Sequence, residues 1–229
     1  MVDIRDVGGP LRLAVTGLDR FNRRHPWSHN DYFHGWILRH LPDTRDHALD
    51  VGCGRGELLS ALAGRFDRVD GVDADAAMTG AASQRCGGNP AVRVRQLPFD
   101  DVTGRYDLMT MVAVLHHLDL GPALRHASDM LVDRGRLLVV GLARPSTAAD
   151  NRWDLGSAMV NPLVGIVKHP RVAVPRDRAP LPVADPTLTF DEIKAQATAL
   201  LPGARMRHRL FFRYTLEWTK GDRLSARGR

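Results

Sequence analysis

The sequence has 229 residues, of which 44% are hydrophobic and 25% are charged. This length is enough for one substantial core, and the composition is that of an ordinary soluble protein. The formal net charge of +6 permits nucleic-acid binding but does not require it. The cysteines Cys53 and Cys86 form no C-x-x-C pair. This pattern argues against a disulfide framework or a zinc site and favours a reducing compartment.

The N-terminus lacks the apolar run of a signal peptide. No later stretch reaches the roughly 18 uninterrupted apolar residues that a membrane span needs. We therefore predict a soluble, cytoplasmic protein without a membrane partner.

From His47 onward, short apolar runs alternate with amphipathic stretches, which predicts a parallel sheet with helices on both faces. The first helix places Leu58, Leu59 and Leu62 on one face, and the alternating Val and Arg of the third strand are typical of a half-exposed sheet edge. Strands are predicted at residues 48–51, 69–73, 92–95, 108–115 and 137–140, the last after a turn at 133–135.

The C-terminal part carries a capping box, Thr189 followed three residues later by Glu192, which predicts the start of a helix. Pro202 and Gly203 are expected to end that helix, and residues 206–220 to form a closing hairpin. We divide a single domain, residues 1–229, into an N-terminal helical lid (1–45), a ligand-binding core (46–142), an insertion or cap (143–186), and a C-terminal helix and hairpin (187–229).

A glycine-rich turn follows the first strand, with Gly52, Gly54 and Gly56 in the spacing G-x-G-x-G. Such a turn lets a ligand approach the main chain closely, because no Cβ atoms stand in the way. Glu57 departs from the G-x-G-x-x-G pattern of nicotinamide enzymes. Asp73 lies about 20 residues further on, where an acid can accept hydrogen bonds from both hydroxyls of a ribose.

These residues resemble the motifs of class I S-adenosylmethionine-dependent methyltransferases. Residues 49–56 are similar to the family's first motif, and Val72 and Asp73 to its ribose-binding acid; residues 106–108, 114–118 and 131–137 are similar to its fourth- and fifth-strand motifs. The resemblance covers about residues 46–142. It implies a Rossmann-like α/β fold with a seven-stranded, mostly parallel sheet, a C-terminal antiparallel hairpin, and S-adenosylmethionine as cofactor.

The resemblance also implies the cofactor-binding residues. Asp50 is expected near the donor's amino group, Asp73 at the ribose, and the residues after the third strand at the adenine. N-terminal helices commonly close the donor site in this family, so His29 and Tyr32 are expected to face the donor. The full predicted set is Asp50, Gly52, Cys53, Gly54, Gly56, Asp73, Ala74, Met78, Gln96, Leu97, Val114, His29 and Tyr32.

Methyl transfer from a sulfonium requires the acceptor atom to be held in line with the sulfur–carbon bond. If the acceptor is a hydroxyl or a protonated amine, a base must remove its proton. His116 and His117 follow the fourth strand, at the ligand-binding edge of such sheets. We predict His117 as the catalytic base, and His116 as the residue that packs without proton chemistry. No metal is expected.

The acceptor is predicted to be a small organic molecule methylated on oxygen, nitrogen or carbon, because two poorly patterned segments are available to build a pocket. The alternatives are an RNA or protein methyltransferase, favoured by the arginines between Arg205 and Arg213, and a non-catalytic S-adenosylmethionine-binding module. Nucleic acid thus remains a possible partner. The sequence does not specify an oligomeric state.

Overall fold

A computed structural model describes residues 29–145, 185–209 and 213–221, with side chains from residue 33 onward. The described strands form one seven-stranded sheet in the order β3-β2-β1-β4-β5-β7-β6. All neighbours pair in parallel except β7, which is antiparallel to both β5 and β6. The bounds are β1 His47–Val51, β2 Arg68–Asp73, β3 Val92–Gln96, β4 Tyr106–Val112, β5 Leu131–Gly141, β6 Arg205–Arg209 and β7 Arg213–Thr219. The predicted fold class is confirmed.

Helices cover both faces of this sheet, as predicted. One face carries α1 (His29–Arg39), α2 (Glu57–Leu62) and α3 (Ala76–Cys86), and the other carries α4 (Leu120–Met130) and α5 (Phe190–Leu200). Along β5, Leu137 and Val139 are buried under α4 and α5, whereas Leu138 and Val140 are buried under the other helices. This alternation is the pleat of a strand that is buried on both faces.

Several local predictions are confirmed. β3 is an edge strand whose side chains are partly buried or exposed. At the start of α3, a cap that sequence reasoning did not single out is formed by the side chain of Asp75, which accepts hydrogen bonds from the backbone N–H groups of Ala77 and Met78. At the start of α5, Thr189 and Glu192 form both bonds of the capping box. Local hydrogen-bonding patterns of this kind can be recognised in the sequence because all partners lie within four residues.

Two predicted boundaries were wrong. The fourth strand ends at Val112 rather than residue 115, because Ala113 adopts a positive φ of 57° and a 3₁₀ turn follows at Leu115–His117. The fifth strand begins at Leu131, so the expected turn at 133–135 lies inside it as an irregularity in the pairing with β4. Arg134 has a φ of 64° there.

The described part of the N-terminal segment packs on the sheet. Phe33, Trp36 and Ile37 of α1 are buried among side chains of α2, β1, β4 and β5. Arg136 of β5 donates a hydrogen bond to the carbonyl of His40 just after α1. In residues 29–145, 185–209 and 213–221, no helix is long and apolar enough to cross a membrane.

Candidate active site

The candidate site lies where the order of the strands reverses. β1 is flanked by β2 on one side and β4 on the other, and the chain leaves all three strands at the same edge of the sheet. Ligands of open α/β sheets bind outside the carboxyl ends of the strands at such a switch point. The predicted glycine loop, Asp73 and the two histidines all follow strands at this edge.

The glycine loop connects β1 to α2 through three residues with positive φ: Gly52 at 65°, Gly54 at 53° and Gly56 at 79°. Glycine adopts these angles without steric cost. A Cβ on Gly52 would overlap the side chain of Val114, and one on Gly56 would lie 3.1 Å from the Cα atom of Ala82 in α3. A Cβ on Gly54 would meet no atom within 4 Å. Packing explains the first and third glycines, whereas the second faces open space.

Asp73 fastens this loop to the end of β2. Its Oδ2 accepts a hydrogen bond from the backbone N–H of Gly54 at 3.0 Å, and its Oδ1 accepts one from the N–H of Asp75 at 3.0 Å. A carboxylate has about four lone-pair positions, so two remain for a ligand. The backbone N–H of Leu97 donates to the carbonyl of Asp73, and the Gln96 side chain donates to the carbonyl of Ala74. The structure thus brings together four of the predicted site residues: Asp73, Ala74, Gln96 and Leu97.

Asp50 at the end of β1 is a buried carboxyl group, 3% exposed. Its Oδ1 accepts a hydrogen bond of 2.6 Å from the hydroxyl of Thr110 in β4. Burial raises the pKa of Asp50 to about 7; the Thr110 hydrogen bond opposes this shift, and the negative charges of Asp73 and Glu57 add to it. Sequence reasoning missed Thr110. The only signal was a lone hydroxyl residue in the apolar run of β4.

Two further predicted residues contribute buried side chains. Cys53 packs into the core on the side of α1, α2 and α3, so only its backbone is available to a ligand at the loop. Burial raises the pKa of the Cys53 thiol, which keeps it protonated. Met78 in the first turn of α3 is also buried. The buried side chain of Cys53 therefore helps to fix the glycine loop, and that of Met78 the start of α3.

A shallow cleft lies beyond the carboxyl ends of β4 and β5. One of its lining residues, Leu115, directly follows Val114, whose side chain contacts the glycine loop. Apolar side chains dominate its walls, and the polar residues among its described walls are His116, Thr187 and Tyr214. The lining residues are Leu115, His116, Leu118, Leu120, Leu142, Pro186, Thr187, Leu188, Ile193 and Tyr214.

The two histidines of the 3₁₀ turn differ in their surroundings. His116 lines the cleft, and its buried Nδ1 has no hydrogen-bond partner in the part of the chain that the structure describes. Burial lowers the pKa of His116 to about 4, and the charges of His117 and Arg213 act in the same direction. His117 is exposed and its ring lies 4.1 Å from that of His116. The assignment of His117 as a base stays a prediction.

Other predictions fall where the structure gives no side chains. His29 and Tyr32 belong to the first part of α1, and their side chains lie outside the described residues. Most of the predicted insertion, residues 146–184, is outside them as well. Among the residues whose side chains are described, no three His, Cys, Asp or Glu side chains are grouped as metal ligands would be.

Comparison with known proteins agrees with this geometry. Residues 49–137 match the family described as methyltransferase domain. An uncharacterized methyltransferase of Mycobacterium tuberculosis is 31% identical over 203 residues, covering 84% of this chain and 96% of that protein. The ubiquinone biosynthesis O-methyltransferase of Azotobacter vinelandii is 30% identical over 105 residues, covering 44% of this chain and 45% of that protein.

Solved structures share the fold. The N-methyltransferase NodS of Bradyrhizobium japonicum, in complex with S-adenosyl-L-homocysteine, has a TM-score of 0.55 at 17% identity and covers 90% of this chain and 98% of its own. The magnesium protoporphyrin IX methyltransferase of Synechocystis has a TM-score of 0.53 at 17% identity, covering 95% of this chain and 91% of its own. Taken with the sequence relatives, the chain belongs to the class I S-adenosylmethionine-dependent methyltransferases, and it is an enzyme of that family.

Proposed function

We propose that this enzyme transfers the methyl group of S-adenosylmethionine to oxygen, nitrogen or carbon of a small organic acceptor, by in-line displacement. The observation that carries the proposal is the open space over Gly54, whose backbone N–H donates to Asp73. The carboxyl group of Asp50, at the end of β1 just before this loop, is close enough to Asp73 for the two to interact electrostatically. A donor that presents an ammonium group and a ribose diol complements two such carboxyl groups.

In this proposal each part of the donor has its own residues. The free lone pairs of Asp73 receive the ribose hydroxyls, and Asp50 receives the ammonium group. Ala74, Met78, Gln96 and Leu97 border the adenine, because they lie around the ends of β2 and β3. Gly52, Cys53, Gly54, Gly56 and Val114 border the methionine part. His29 and Tyr32 are proposed to cover the donor on sequence grounds alone.

The sulfonium makes the methyl carbon electrophilic, so positioning of the acceptor supplies much of the rate. The acceptor's lone pair forms the new bond to carbon while the carbon–sulfur electrons return to sulfur. A hydroxyl or ammonium acceptor must also lose a proton. His117 is the proposed base, and His116 is the neutral side chain that borders the acceptor.

The side chains beside His116 are the reason for proposing a small acceptor with an apolar body. The described walls of the cleft are mostly Leu, Ile and Pro, and they contain no charged residue that would pair with a phosphate or carboxylate. RNA remains the second candidate, because Arg205 and Arg207 are exposed on the edge strand β6. A ribosomal RNA small subunit methyltransferase of Chromohalobacter salexigens is 36% identical over 103 residues.

The proposal is tested with donor labelled in its methyl group and an acceptor panel of phenols, alcohols, amines, carboxylic acids and total RNA. Formation of S-adenosylhomocysteine and the methylated product are followed by mass spectrometry. We expect turnover with one or more uncharged apolar acceptors. Transfer to RNA that weakens steeply with salt, with no transfer to any small molecule, would favour the second candidate instead. A cytoplasmic location is proposed as well, since Cys53 and Cys86 are free buried thiols.

A further inference from the structure

We propose that Thr110 is a positioning residue for donor binding: its hydroxyl orients Asp50 toward the donor's ammonium group, and donor binding releases a proton from the Asp50 carboxyl. This inference rests on the proposed donor site. It assigns a part in donor binding to Thr110, which lies outside the glycine motif. It also predicts that a proton leaves the site on binding, before methyl transfer begins.

The contact between the two side chains is built into the sheet. Asp50 and Thr110 are directly paired in the register of β1 and β4. Thr110 is fully buried, and its hydroxyl lies 2.6 Å from Asp50 Oδ1 but 3.4 Å from the carbonyl oxygen of Leu49. The single hydroxyl proton is therefore donated to Asp50, since the second distance is long for an O–H···O bond. This bond fixes Oδ1 on the side of β4.

The other oxygen of Asp50 has no such donor. In the described part of the chain, Thr110 supplies the only hydrogen bond that the carboxyl group accepts. The groups that act on it electrostatically are Asp73 from the end of β2 and Glu57 from the start of α2, both carboxyls. Cys53 in the glycine loop is held as a neutral thiol. Glu57 is itself paired with the Arg85 guanidinium at 2.8 Å. Among the described groups that act on Asp50 there is no cation, so a proton on Asp50 is favoured while the site is empty.

A bound ammonium group reverses this preference. It supplies the missing positive charge and the missing donor, which lowers the pKa of Asp50 from about 7 and expels the proton. The apparent affinity for the donor should then rise about tenfold per pH unit up to about pH 7. The useful window is about pH 5.5 to 7.5, because the donor's own α-amino group begins to lose its proton near pH 8.

Thr110→Val removes the hydroxyl but keeps the shape, and Thr110→Ser keeps the hydroxyl. Because the Thr110 bond favours the ionised carboxylate, its loss raises the Asp50 pKa further. We expect Thr110→Val to bind the donor about tenfold more weakly at pH 7, with its affinity profile moved to higher pH. Thr110→Ser should keep the wild-type profile. Thr215→Val, another buried threonine on β7, is the matched control and should also keep it.

The experiment is calorimetric titration of the full chain in two buffers with different ionisation enthalpies, which counts the protons released per ligand bound. S-adenosylmethionine and S-adenosylhomocysteine both carry the ammonium group, so both should release a proton at pH 6. 5′-Methylthioadenosine lacks that group and should bind without proton release. Asp50→Asn should bind the donor with no proton release.

The outcomes separate the two proposals. If the wild type binds none of the three ligands, the proposed function fails. If it binds S-adenosylmethionine without proton release, or if Thr110→Val and Thr215→Val have the same affinity profile, the role of Thr110 and Asp50 is overturned while the donor site stands. Proton release with S-adenosylmethionine alone would overturn the pairing of Asp50 with the ammonium, since only that ligand has a sulfonium.

Discussion

Two aspartates on neighbouring strands of the sheet have opposite surroundings. Asp70 of β2 has three donors around its Oδ2: the Tyr106 hydroxyl at 3.3 Å, the Arg95 guanidinium at 3.4 Å and His47 Nε2 at 3.5 Å. Asp50 of β1 is more deeply buried but has one hydroxyl at its Oδ1 and two carboxyl groups nearby.

The difference distinguishes a structural carboxylate from one that a ligand completes. A buried charge is costly unless it is paired and hydrogen-bonded. The fold provides those partners for Asp70 by placing side chains of β1, β3 and β4 around it, whereas at Asp50 it leaves the charge unbalanced. The variants below test whether this contrast reflects function.

The largest effect is expected from Asp73→Ala. It removes the proposed ribose acceptor, the hydrogen bond from Gly54 of the glycine loop and the one from Asp75. Donor affinity should therefore fall about 100-fold or more, the value of two charged hydrogen bonds. Calorimetric titration with S-adenosylmethionine measures it. Asp70→Asn, on the same strand, is the control and should leave donor affinity within about twofold of wild type. Equal losses of donor affinity in Asp73→Ala and Asp70→Asn would contradict the contrast between structural and ligand-binding carboxylates.

His117→Ala should lower kcat about 100-fold, the lower end for general-base catalysis, while donor affinity stays unchanged. The measurement is steady-state turnover with the acceptor found by the panel, together with a donor titration. Equal turnover in the variant and the wild type would eliminate His117 as the base, and His116→Ala would then be the next variant to assay.

The stability of the ligand-free protein should depend on pH through Asp50. Its pKa of about 7 in the folded chain lies above the ordinary 3.8, so between these values the folded state holds a proton that the unfolded state has lost. The free energy of unfolding therefore falls as pH rises from about 4 to about 7, by at most about 1.4 kcal/mol per pH unit, and this contribution is level above that range. Urea unfolding of wild type and Asp50→Asn measures the difference, in which other titrating groups cancel. The same dependence of the unfolding free energy on pH in wild type and Asp50→Asn would contradict this prediction.

The smallest effect is expected from Tyr106→Phe. This change removes the hydroxyl that lies near Asp70 and the carbonyl of Thr103, and it should lower the free energy of unfolding by about 1 kcal/mol. Donor affinity should not change, because Tyr106 stands at the start of β4, away from the carboxyl edge. Chemical denaturation measures the change in the free energy of unfolding, and a donor titration checks that the affinity for the donor is unchanged. Weaker donor binding in this variant would mean that the two regions are coupled.

Sequence reasoning predicted the parts of the fold that depend on local patterns. The glycine loop with Asp73 and the capping box at Thr189 are set by short spacings. The seven-stranded, mostly parallel sheet with its C-terminal antiparallel hairpin followed from the family resemblance. The partner of Asp50 could not be predicted, because Thr110 is 60 residues away and the sequence does not reveal the register that pairs β1 with β4. The end of β4 was missed because the positive φ of Ala113 has no sequence signal in a residue other than glycine.

The central claim, a donor bound over the glycine loop, is tested most directly by Gly54→Ala beside Gly203→Ala. Both glycines have positive φ, 53° and 85°, and a Cβ on either meets no atom within 4 Å, so the two variants carry similar backbone strain. Calorimetric titration with S-adenosylmethionine should give micromolar binding to wild type and Gly203→Ala, and binding weakened at least about tenfold in a folded Gly54→Ala, because the new methyl group occupies the donor's space. Equal binding to all three proteins, or none to the wild type, would contradict the account.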